Sequence, residues 1–430
     1  MFRITFLGAG STVFAKNVLG DCMLTPSLGE FEIALYDIDA QRLEDSRLML
    51  ESIRKNYHCS ATIRSYSDRK EALRGARFIV NAIQVGGYEP CTVTDFEVPK
   101  KYGFLQTIAD SYGIGGIFRA LRTFPVLEEF ARDIHEVCPD ALFLNYTNPM
   151  AMLTSYLTDV LHVNAIGLCH SVQSCLPSLL EWLKMPQNPA KCRTRFAGIN
   201  HQTWMLEVYG ENGEDLYPEI KRRAAESDCD KVRFEIMKRF GYYNTESSEH
   251  TAEYHPYFIK KNYPELISRF DIPIDEYPRR CIKQIAEWNT MRESLVNTEV
   301  THTVSAEYAA RIIHAVINDE PYRVYGNVPN TGIITNLPRK ACVEVPCMID
   351  RNGVNPCYVG DIPEQLAALN RKHVSVQILT VEAGKTRKKD AIYQAAYLDP
   401  RCASELSLDE IKSLCDDLIE AHGKWLPKFD

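Results

Sequence analysis

Apolar runs of strand length alternate with amphipathic segments of helical length along the first part of the chain. Strands are predicted at residues 3–7, 31–36, 61–66 and 76–83, and helices after residue 12, over 40–57 and over 68–74. This βαβαβαβ order is typical of parallel strands that are joined by crossover helices. The pattern therefore predicts an α/β fold with a Rossmann-like, doubly wound parallel sheet.

The segment from residue 84 to residue 118 is rich in glycine and has no strong periodicity, which favours a long functional loop. A regular pattern then resumes, with predicted helices at 121–137 and 149–160 and predicted strands at 141–145 and 165–169. We place the end of the first domain near residue 195, which gives domains of 1–195 and 196–430. The second domain has strands around Phe196 and Trp204 and helices near 304–318, 363–383 and 407–422, so it is α/β or α+β.

Composition narrows the class of protein. The chain has 430 residues, of which 45% are hydrophobic and 25% charged, and its net charge is −8. These values indicate a folded two-domain protein and disfavour nucleic acid as a partner. We expect a cytoplasmic protein without membrane contact, because no apolar run is long enough to span a bilayer and no signal sequence opens the chain. The 14 cysteines include no Cys-x-x-Cys pair, so we expect reduced thiols.

A glycine turn follows the first predicted strand and opens a helix. This turn reads Gly8-Ala9-Gly10-Ser11-Thr12, which is typical of a backbone that approaches a pyrophosphate, although Val13 stands where the motif would have its third glycine. Asp37 closes the second strand, where an acidic side chain binds the adenosine ribose and favours NAD over NADP. A tight structural turn is the alternative. The predicted cofactor-binding residues are Gly8, Gly10, Ser11, Thr12 and Asp37.

A cysteine and a histidine each follow a predicted strand in the middle of the chain. Cys169 opens Cys169-His170-Ser171-Val172, and His201 closes Gly198-Ile199-Asn200-His201. Side chains at the carboxyl ends of strands point into the ligand crevice of such folds, and a thiolate with an imidazole suits a transition metal. Taken alone, the two residues are more often core side chains.

Four motifs in this order resemble the NAD- and divalent-metal-dependent glycoside hydrolases of family four. They are Gly8-Ala9-Gly10-Ser11, Asn145-Tyr146-Thr147-Asn148-Pro149, Cys169-His170-Ser171-Val172 and Gly198-Ile199-Asn200-His201. The resemblance extends over essentially the whole chain and includes Glu246-Ser247-Ser248-Glu249-His250. It is greatest to the bacterial α-galactosidases, which implies unphosphorylated α-galactosides such as melibiose as substrates.

The resemblance implies an elimination mechanism that differs from two-carboxylate glycosidase chemistry. NAD⁺ oxidises the sugar at C3, which acidifies the proton at C2; a base removes that proton, the aglycone leaves C1, water adds and the hydride returns to C3. A divalent cation, usually Mn²⁺, stabilises the charge on the C2 and C3 oxygens. By the same resemblance, Cys169 and His201 hold the cation.

Four further roles are implied by the resemblance. Asn148 binds the sugar near the metal, and Asp110 assists a tyrosine base. His170 stands where phosphosugar members have an acidic general acid, so either His170 protonates the leaving oxygen or that role has moved. The base is Tyr254 or Tyr257, of which we favour Tyr254.

The resemblance implies a substrate without a phosphate. Phosphosugar members of the family have an arginine ahead of the segment that reads Asp95-Phe96-Glu97-Val98-Pro99 here, whereas the matching stretch from 88 to 94 contains no lysine or arginine to bind a dianion. For Arg279 and Arg280 we favour a charged surface pair, and the alternative is that one of them lines the site. An α-glucosidase or α-galacturonidase of the same family, a plain NAD-dependent dehydrogenase of lactate/malate type and a nucleotide-sensing module remain as alternatives. Family members also imply a homodimer or homotetramer, and a second domain like that of lactate and malate dehydrogenases.

Overall fold

A computed structural model describes residues 1–297 and 299–430. In these residues one mixed sheet has the order β3-β2-β1-β4-β5-β6-β10-β11-β7-β8-β9, and β12 pairs with β11. Strands β1 to β6 are parallel to their neighbours, whereas the pairings from β6 to β10 onward are antiparallel. The strands are β1 Phe2–Leu7, β2 Phe31–Tyr36, β3 Thr62–Tyr66, β4 Ala76–Asn81, β5 Leu142–Asn145, β6 Ala165–Gly167, β7 Arg193–Ile199, β8 Gln202–Tyr209, β9 Tyr243–Asn244, β10 Tyr322–Pro329, β11 Cys342–Asp350 and β12 Gly353–Pro356.

The helices cover both faces of this sheet. They are α1 Thr12–Met23, α2 Ala40–Asn56, α3 Arg69–Leu73, α4 Val93–Lys100, α5 Gly113–Val137, α6 Met150–Ser155, α7 Ser171–Trp182, α8 Tyr217–Ala224, α9 Lys231–Phe240, α10 Ser248–Tyr254, α11 Glu265–Arg269, α12 Glu276–Asn297, α13 Ala309–Asn318, α14 Glu364–Thr386, α15 Lys389–Leu398, α16 Pro400–Glu405 and α17 Leu408–His422. The order β3-β2-β1-β4-β5-β6 is that of a dinucleotide-binding sheet, so the predicted fold class is confirmed.

The segment from 84 to 118 is not one long loop, and this prediction was wrong. It contains α4 and the first turn and a half of α5, which begins at Gly113 rather than at 121. Glycine weakens helix propensity, but here it serves packing, because a Cβ on Gly115 would lie 2.6 Å from the carbonyl oxygen of Ala109. The predicted strand at 165–169 also ends earlier, at Gly167, which leaves Cys169 in the loop beyond it.

The carboxyl-terminal helices pack on the amino-terminal half of the chain. One buried apolar cluster joins α5 and α6 to α14, α15 and α17 on one face of the sheet. A buried ion pair reinforces this contact: Arg122 on α5 donates to both oxygens of Asp95 on α4, at 3.0 and 2.6 Å. His422 on α17 lies 2.9 Å from the same carboxylate. No helix in the described ranges is long and apolar enough to cross a membrane.

Two buried histidines make the fold sensitive to acid. Burial lowers the pKa of His255 to about 3 and that of His373 to about 4. The unfolded chain therefore binds more protons than the folded chain below pH ~6.5, and the free energy of unfolding falls as the pH drops from there toward 4, by roughly 1.4 kcal/mol per pH unit for each group. We expect His373→Gln to reduce this slope in urea denaturation across that range, whereas His58→Gln, at an exposed position, should leave it unchanged. Equal slopes in wild type and His373→Gln would contradict the assignment.

Candidate active site

The glycine turn joins β1 to α1 and contacts the end of β2. The amide of Gly10 donates to the Asp37 carboxylate at 2.7 Å, and a Cβ on Gly10 would lie 2.8 Å from the same oxygen. The turn therefore requires glycine for its close approach to the residue predicted to bind the ribose. This tight backbone cradle beside a carboxylate fits the adenosine half of NAD.

The amino end of α1 is open to a ligand. Ser11 precedes the helix, is exposed and makes no capping hydrogen bond, so the first backbone amides of α1 are available to a phosphate. Thr12 is buried, and its hydroxyl accepts from Ser46 at 3.0 Å. Of the two predicted contacts, Ser11 lies toward solvent and Thr12 lies inside the turn. Val13, at the position of the missing glycine, is 44% exposed.

A thiol, an imidazole and a carboxylate come together at the carboxyl ends of β6 and β7. The ligand atoms of Cys169, His201 and Glu246 all lie within 4.8 Å of one another. His201 is 3% exposed, and its Nε2 is 3.6 Å from the Glu246 carboxylate. A set of sulfur, nitrogen and oxygen donors at this spacing fits a divalent transition metal. The structure therefore brings together the two predicted ligands and adds a third.

The electrostatics of this cluster favour a cation. Burial lowers the pKa of His201, but the charges of Cys169 and Glu246 outweigh burial and raise it to about 10. Burial likewise opposes ionisation of Glu246, and the charges of His201 and His250 nonetheless lower its pKa. The raised pKa of His201 arises from the negative charges of Cys169 and Glu246, and these charges would also attract a metal ion.

Asp110 lies beside this cluster and organises a second set of contacts. Its carboxylate accepts from Ser111 at 2.8 Å and from the Asn148 amide at 3.0 Å, and it lies 3.6 Å from Nε2 of His250. Burial alone would raise the pKa of Asp110, but its interactions with His250 and with Arg119 hold the pKa far below its usual range. Asp110 is thus an ionised hydrogen-bond acceptor. It binds the amide nitrogen of Asn148, whereas the buried Oδ1 of Asn148 has no hydrogen-bond partner among the described residues. That oxygen can accept from a sugar hydroxyl.

The two tyrosines considered for the base have different surroundings. The hydroxyl of Tyr254 lies 3.0 Å from Nδ1 of His201, and its residue is 1% exposed. Tyr257 is 42% exposed, and its ring packs near Phe240 and His255. Only Tyr254 of the two contacts a predicted metal ligand.

His170 lies at the rim of the site, with its side chain 47% exposed. Its Nε2 is 2.6 Å from the Glu307 carboxylate, and this partner raises the pKa of His170 against the opposing effect of burial. The ring of Tyr146 lies 4.9 Å from that of Phe14 on α1 and 6.0 Å from that of His170. Tyr146 therefore connects the dinucleotide side of the crevice with the metal side.

Sequence reasoning assigned no role to Glu246, His250 or Arg119, which the structure places in the site. The spacing of Glu246 and His250 by four residues, just before and within α10, is the signal that could have paired them. Arg119 is buried on α5, and its guanidinium lies 5.6 Å from the ring centroid of Tyr277. Arg279 and Arg280 have exposed side chains and both pair with Glu276, and Arg280 also lies 3.4 Å from Glu249 on α10.

Comparison with known proteins identifies the family. Residues 3–185 match the family model described as family 4 glycosyl hydrolase, and residues 196–402 match that of the family 4 glycosyl hydrolase C-terminal domain. The chain belongs to glycosyl hydrolase family 4. The resemblance indicated by the four motifs is therefore confirmed.

Family 4 relatives match along the full chain. An α-galactosidase of Bacillus subtilis is 59% identical over 434 residues, which covers all of both chains. An α-galactosidase of Rhizobium meliloti is 33% identical and covers 100% of this chain and 90% of its own. An α-galacturonidase of Thermoanaerobacter italicus is 26% identical, with 99% and 97% covered.

Solved structures support the same fold. A Bacillus subtilis protein described as a glucosidase aligns with a TM-score of 0.87 at 26% identity, and the alignment covers 97% of this chain and 99% of that one. A 6-phospho-α-glucosidase from gut microorganisms, solved with NAD and Mn²⁺, aligns with a TM-score of 0.81 at 21% identity over both full chains. Malate dehydrogenase of Plasmodium falciparum aligns with a TM-score of 0.53 at 13% identity, over 91% of this chain and all of that one, which shows a shared fold alone.

Proposed function

We propose that this family 4 enzyme is an α-galactosidase that hydrolyses unphosphorylated α-galactosides such as melibiose, with NAD and a divalent cation, usually Mn²⁺, as cofactors. The observation that carries the proposal is the cluster of Cys169, His201 and Glu246, in which Cys169 follows β6, a strand that runs parallel to the β1 strand before the glycine turn. A dehydrogenase of malate type would need no such donor set. A nucleotide-sensing module would not need it either.

The substrate class is supported by two observations. The relative with 59% identity over the whole chain is an α-galactosidase. In addition, the stretch from Tyr88 to Thr94 contains no cationic side chain for a sugar phosphate, and Arg279 and Arg280 are already paired with Glu276 at the surface. A neutral sugar is therefore favoured over a phosphosugar.

Each cofactor has a set of residues that would hold it. Gly8, Gly10, Ser11, Thr12 and Asp37 form the proposed NAD site, and Cys169 and His201, with Glu246, form the proposed metal site. When bound, NAD would supply reversible oxidation at the sugar C3, and the cation would supply positive charge beside the C2 and C3 oxygens.

The chain's own side chains have distinct proposed roles toward the sugar. Asn148 would accept from a sugar hydroxyl through its free Oδ1, with Asp110 fixing its amide. Tyr254, as its phenolate, would accept the C2 proton and become a neutral phenol, and Asp110 would assist it. His170, held by Glu307 at the exposed rim, would donate a proton to the leaving oxygen at C1.

The glycine turn gives a prediction about cofactor binding. Gly10→Ala should weaken NAD binding by about 100-fold or more, since the new Cβ would displace Asp37 from the ribose position and close the approach to the pyrophosphate. Isothermal titration with NAD⁺ measures this directly. Gly29→Ala is the control, because a Cβ there meets nothing within 4 Å, although Gly29, unlike Gly10, has a positive φ. Equal affinities in Gly10→Ala and wild type would argue against the site.

The proposed function is tested by hydrolysis of p-nitrophenyl α-galactoside, with the glucoside and the galacturonide alongside, in reducing buffer with NAD⁺ and Mn²⁺ each added and omitted. We expect cleavage of the galactoside that needs both additions, without accumulation of NADH. Cleavage of the galacturonide or glucoside instead would change the substrate assignment. Reduction of NAD⁺ by free sugars or hydroxy acids without glycoside cleavage would favour a dehydrogenase.

We also propose a cytoplasmic location and a homodimeric or homotetrameric state. All 14 cysteines are free, which fits a reducing compartment. Light scattering after size-exclusion chromatography would measure the oligomeric state, and a monomer at micromolar concentration would contradict that part of the proposal.

A further inference from the structure

A buried carboxylate on α10 binds the backbone of the loop that carries Asp110. Glu253 is 7% exposed, and its Oε1 accepts from the amides of Thr107 at 2.9 Å and Ala109 at 3.1 Å. Its Oε2 accepts from Ala109 at 3.0 Å and from Ile108 at 3.3 Å. Three consecutive amides, which immediately precede Asp110, thus converge on one side chain.

This loop belongs to no helix or strand, and contacts from other segments hold it, among them the backbone amides of Asp275 and Tyr277, which donate to the carbonyls of Gln106 and Thr107. Arg401 on α16 donates to the carbonyl of Leu105 at 2.7 Å. Burial raises the pKa of Glu253, and the amide of Ala109 and the charge of Arg401 oppose that rise. Ala109 has a φ of +53°, a left-handed conformation that residues other than glycine rarely adopt. Such a conformation costs of order 1–3 kcal/mol and persists only where the surroundings impose it. The carboxylate of Glu253, which binds Ala109 with both oxygens, imposes it here.

The position of Asp110 follows directly from this arrangement. Asp110 directly follows Ala109 and faces Asn148 and His250. Glu253 is also adjacent in sequence to Tyr254, whose hydroxyl contacts His201. One helix therefore fixes both the loop with Asp110 and the tyrosine beside the metal cluster.

We propose that Glu253 is a positioning residue that holds Asp110 in its active geometry through the backbone amides of residues 107–109. This inference rests on the proposed function for its kinetic consequence, since Asp110 acts there on Asn148 and Tyr254. Glu253 itself does not touch the substrate.

A double-mutant cycle with Asp110 tests the proposal. Glu253→Gln keeps the size of the side chain but points an amide donor at backbone donors, so kcat/KM for the galactoside should fall by about 10- to 100-fold as Asp110 shifts. In an Asp110→Asn background the same change should cost less than about threefold, because the residue it positions no longer functions. A purely structural role would lower the melting temperature and give the same kinetic cost in both backgrounds, and that result would overturn the proposal.

The matched control is Glu405→Gln. Glu405 also accepts a backbone amide, that of Lys261 at 2.9 Å, but it binds a loop that carries none of the proposed site residues. It should show no coupling to Asp110→Asn. If Glu253→Gln fails to fold, Glu253→Asp replaces it, since the shorter stem retains the charge but cannot reach all three amides.

A second readout does not depend on the proposed function. Amide hydrogen exchange of the peptide over residues 104–110 should accelerate by about tenfold or more in Glu253→Gln and remain at the wild-type rate in Glu405→Gln. Unchanged exchange in Glu253→Gln would overturn the proposal whatever the substrate is. If the wild-type protein cleaves no glycoside, the proposed function fails, and the exchange result alone decides whether Glu253 holds the loop.

Discussion

Replacing Cys169 with serine should remove divalent-metal binding at the candidate site and lower kcat/KM for α-galactoside hydrolysis by about three orders of magnitude, equivalent to roughly 4 kcal/mol of transition-state stabilisation. The thiolate is the softest of the three donors that converge within 4.8 Å. A serine hydroxyl stays protonated and is a poor ligand, so only His201 and Glu246 would remain. Elimination at C2 would then lack the charge that makes the proton acidic.

Two measurements check this expectation. One is kcat/KM for α-galactoside hydrolysis, and the other is Mn²⁺ binding, measured by isothermal titration or by the electron paramagnetic resonance of free Mn²⁺. Cys175→Ser is the matched control, because Cys175 lies buried on α7 within the same segment but outside the cluster. NAD⁺ affinity should be unchanged in both variants. A Cys169→Ser enzyme that binds Mn²⁺ like the wild type would remove Cys169 from the metal site.

Tyr254→Phe should abolish turnover, with a loss of kcat of about 100- to 10,000-fold, the range typical of a missing acid–base group. The change removes only the hydroxyl, so the packing of the ring against Tyr112 is retained. We expect NAD⁺ binding to be preserved and the metal site to remain saturable. Tyr257→Phe should retain near-normal activity, because Tyr257 is exposed and contacts no predicted metal ligand.

The hydroxyl of Tyr254 lies within hydrogen-bond distance of His201, so a role of Tyr254 in orienting this metal ligand has to be distinguished from its role as the base. If Tyr254 acted only by orienting His201, its loss would weaken metal affinity by about 10- to 100-fold, and saturating Mn²⁺ would restore kcat. A proton acceptor cannot be replaced in this way, so kcat should stay low at every Mn²⁺ concentration. Recovery of the rate, or a larger loss in Tyr257→Phe, would assign the base elsewhere.

The local pattern of apolar and polar residues was sufficient to predict the strands of the amino-terminal sheet. Apolar runs of strand length, alternating with amphipathic helices, predicted β1 to β5 to within two residues of their boundaries, because parallel strands that are buried on both faces are largely apolar. The edge strand β3 is the exception, since only Ile63 of its five residues is buried. The strand predicted at 165–169 ended two residues early, at Gly167. The glycine turn and Asp37 were likewise recognisable, since the close contact of Gly10 with Asp37 is required by backbone sterics.

Helix α5 shows where local pattern fails. Its first turns contain Gly113, Gly115 and Gly116, which favour a loop by propensity. The helix forms there because the loop around Ala109 packs directly against Gly115, a contact that no periodicity encodes. Tertiary packing thus overrides a local preference of a few kcal/mol.

The sequence by itself determined the fold class, the dinucleotide turn and, through four motifs, the family and the pair of Cys169 and His201. Only the tertiary structure decided that Glu246 joins that pair, that Tyr254 rather than Tyr257 contacts His201, and that Glu253 holds the loop before Asp110. The physical reason is distance along the chain. Turns and strands are fixed by neighbours a few residues apart, whereas these contacts join segments separated by 45 to 146 residues and exist only after the sheet and its helices have packed.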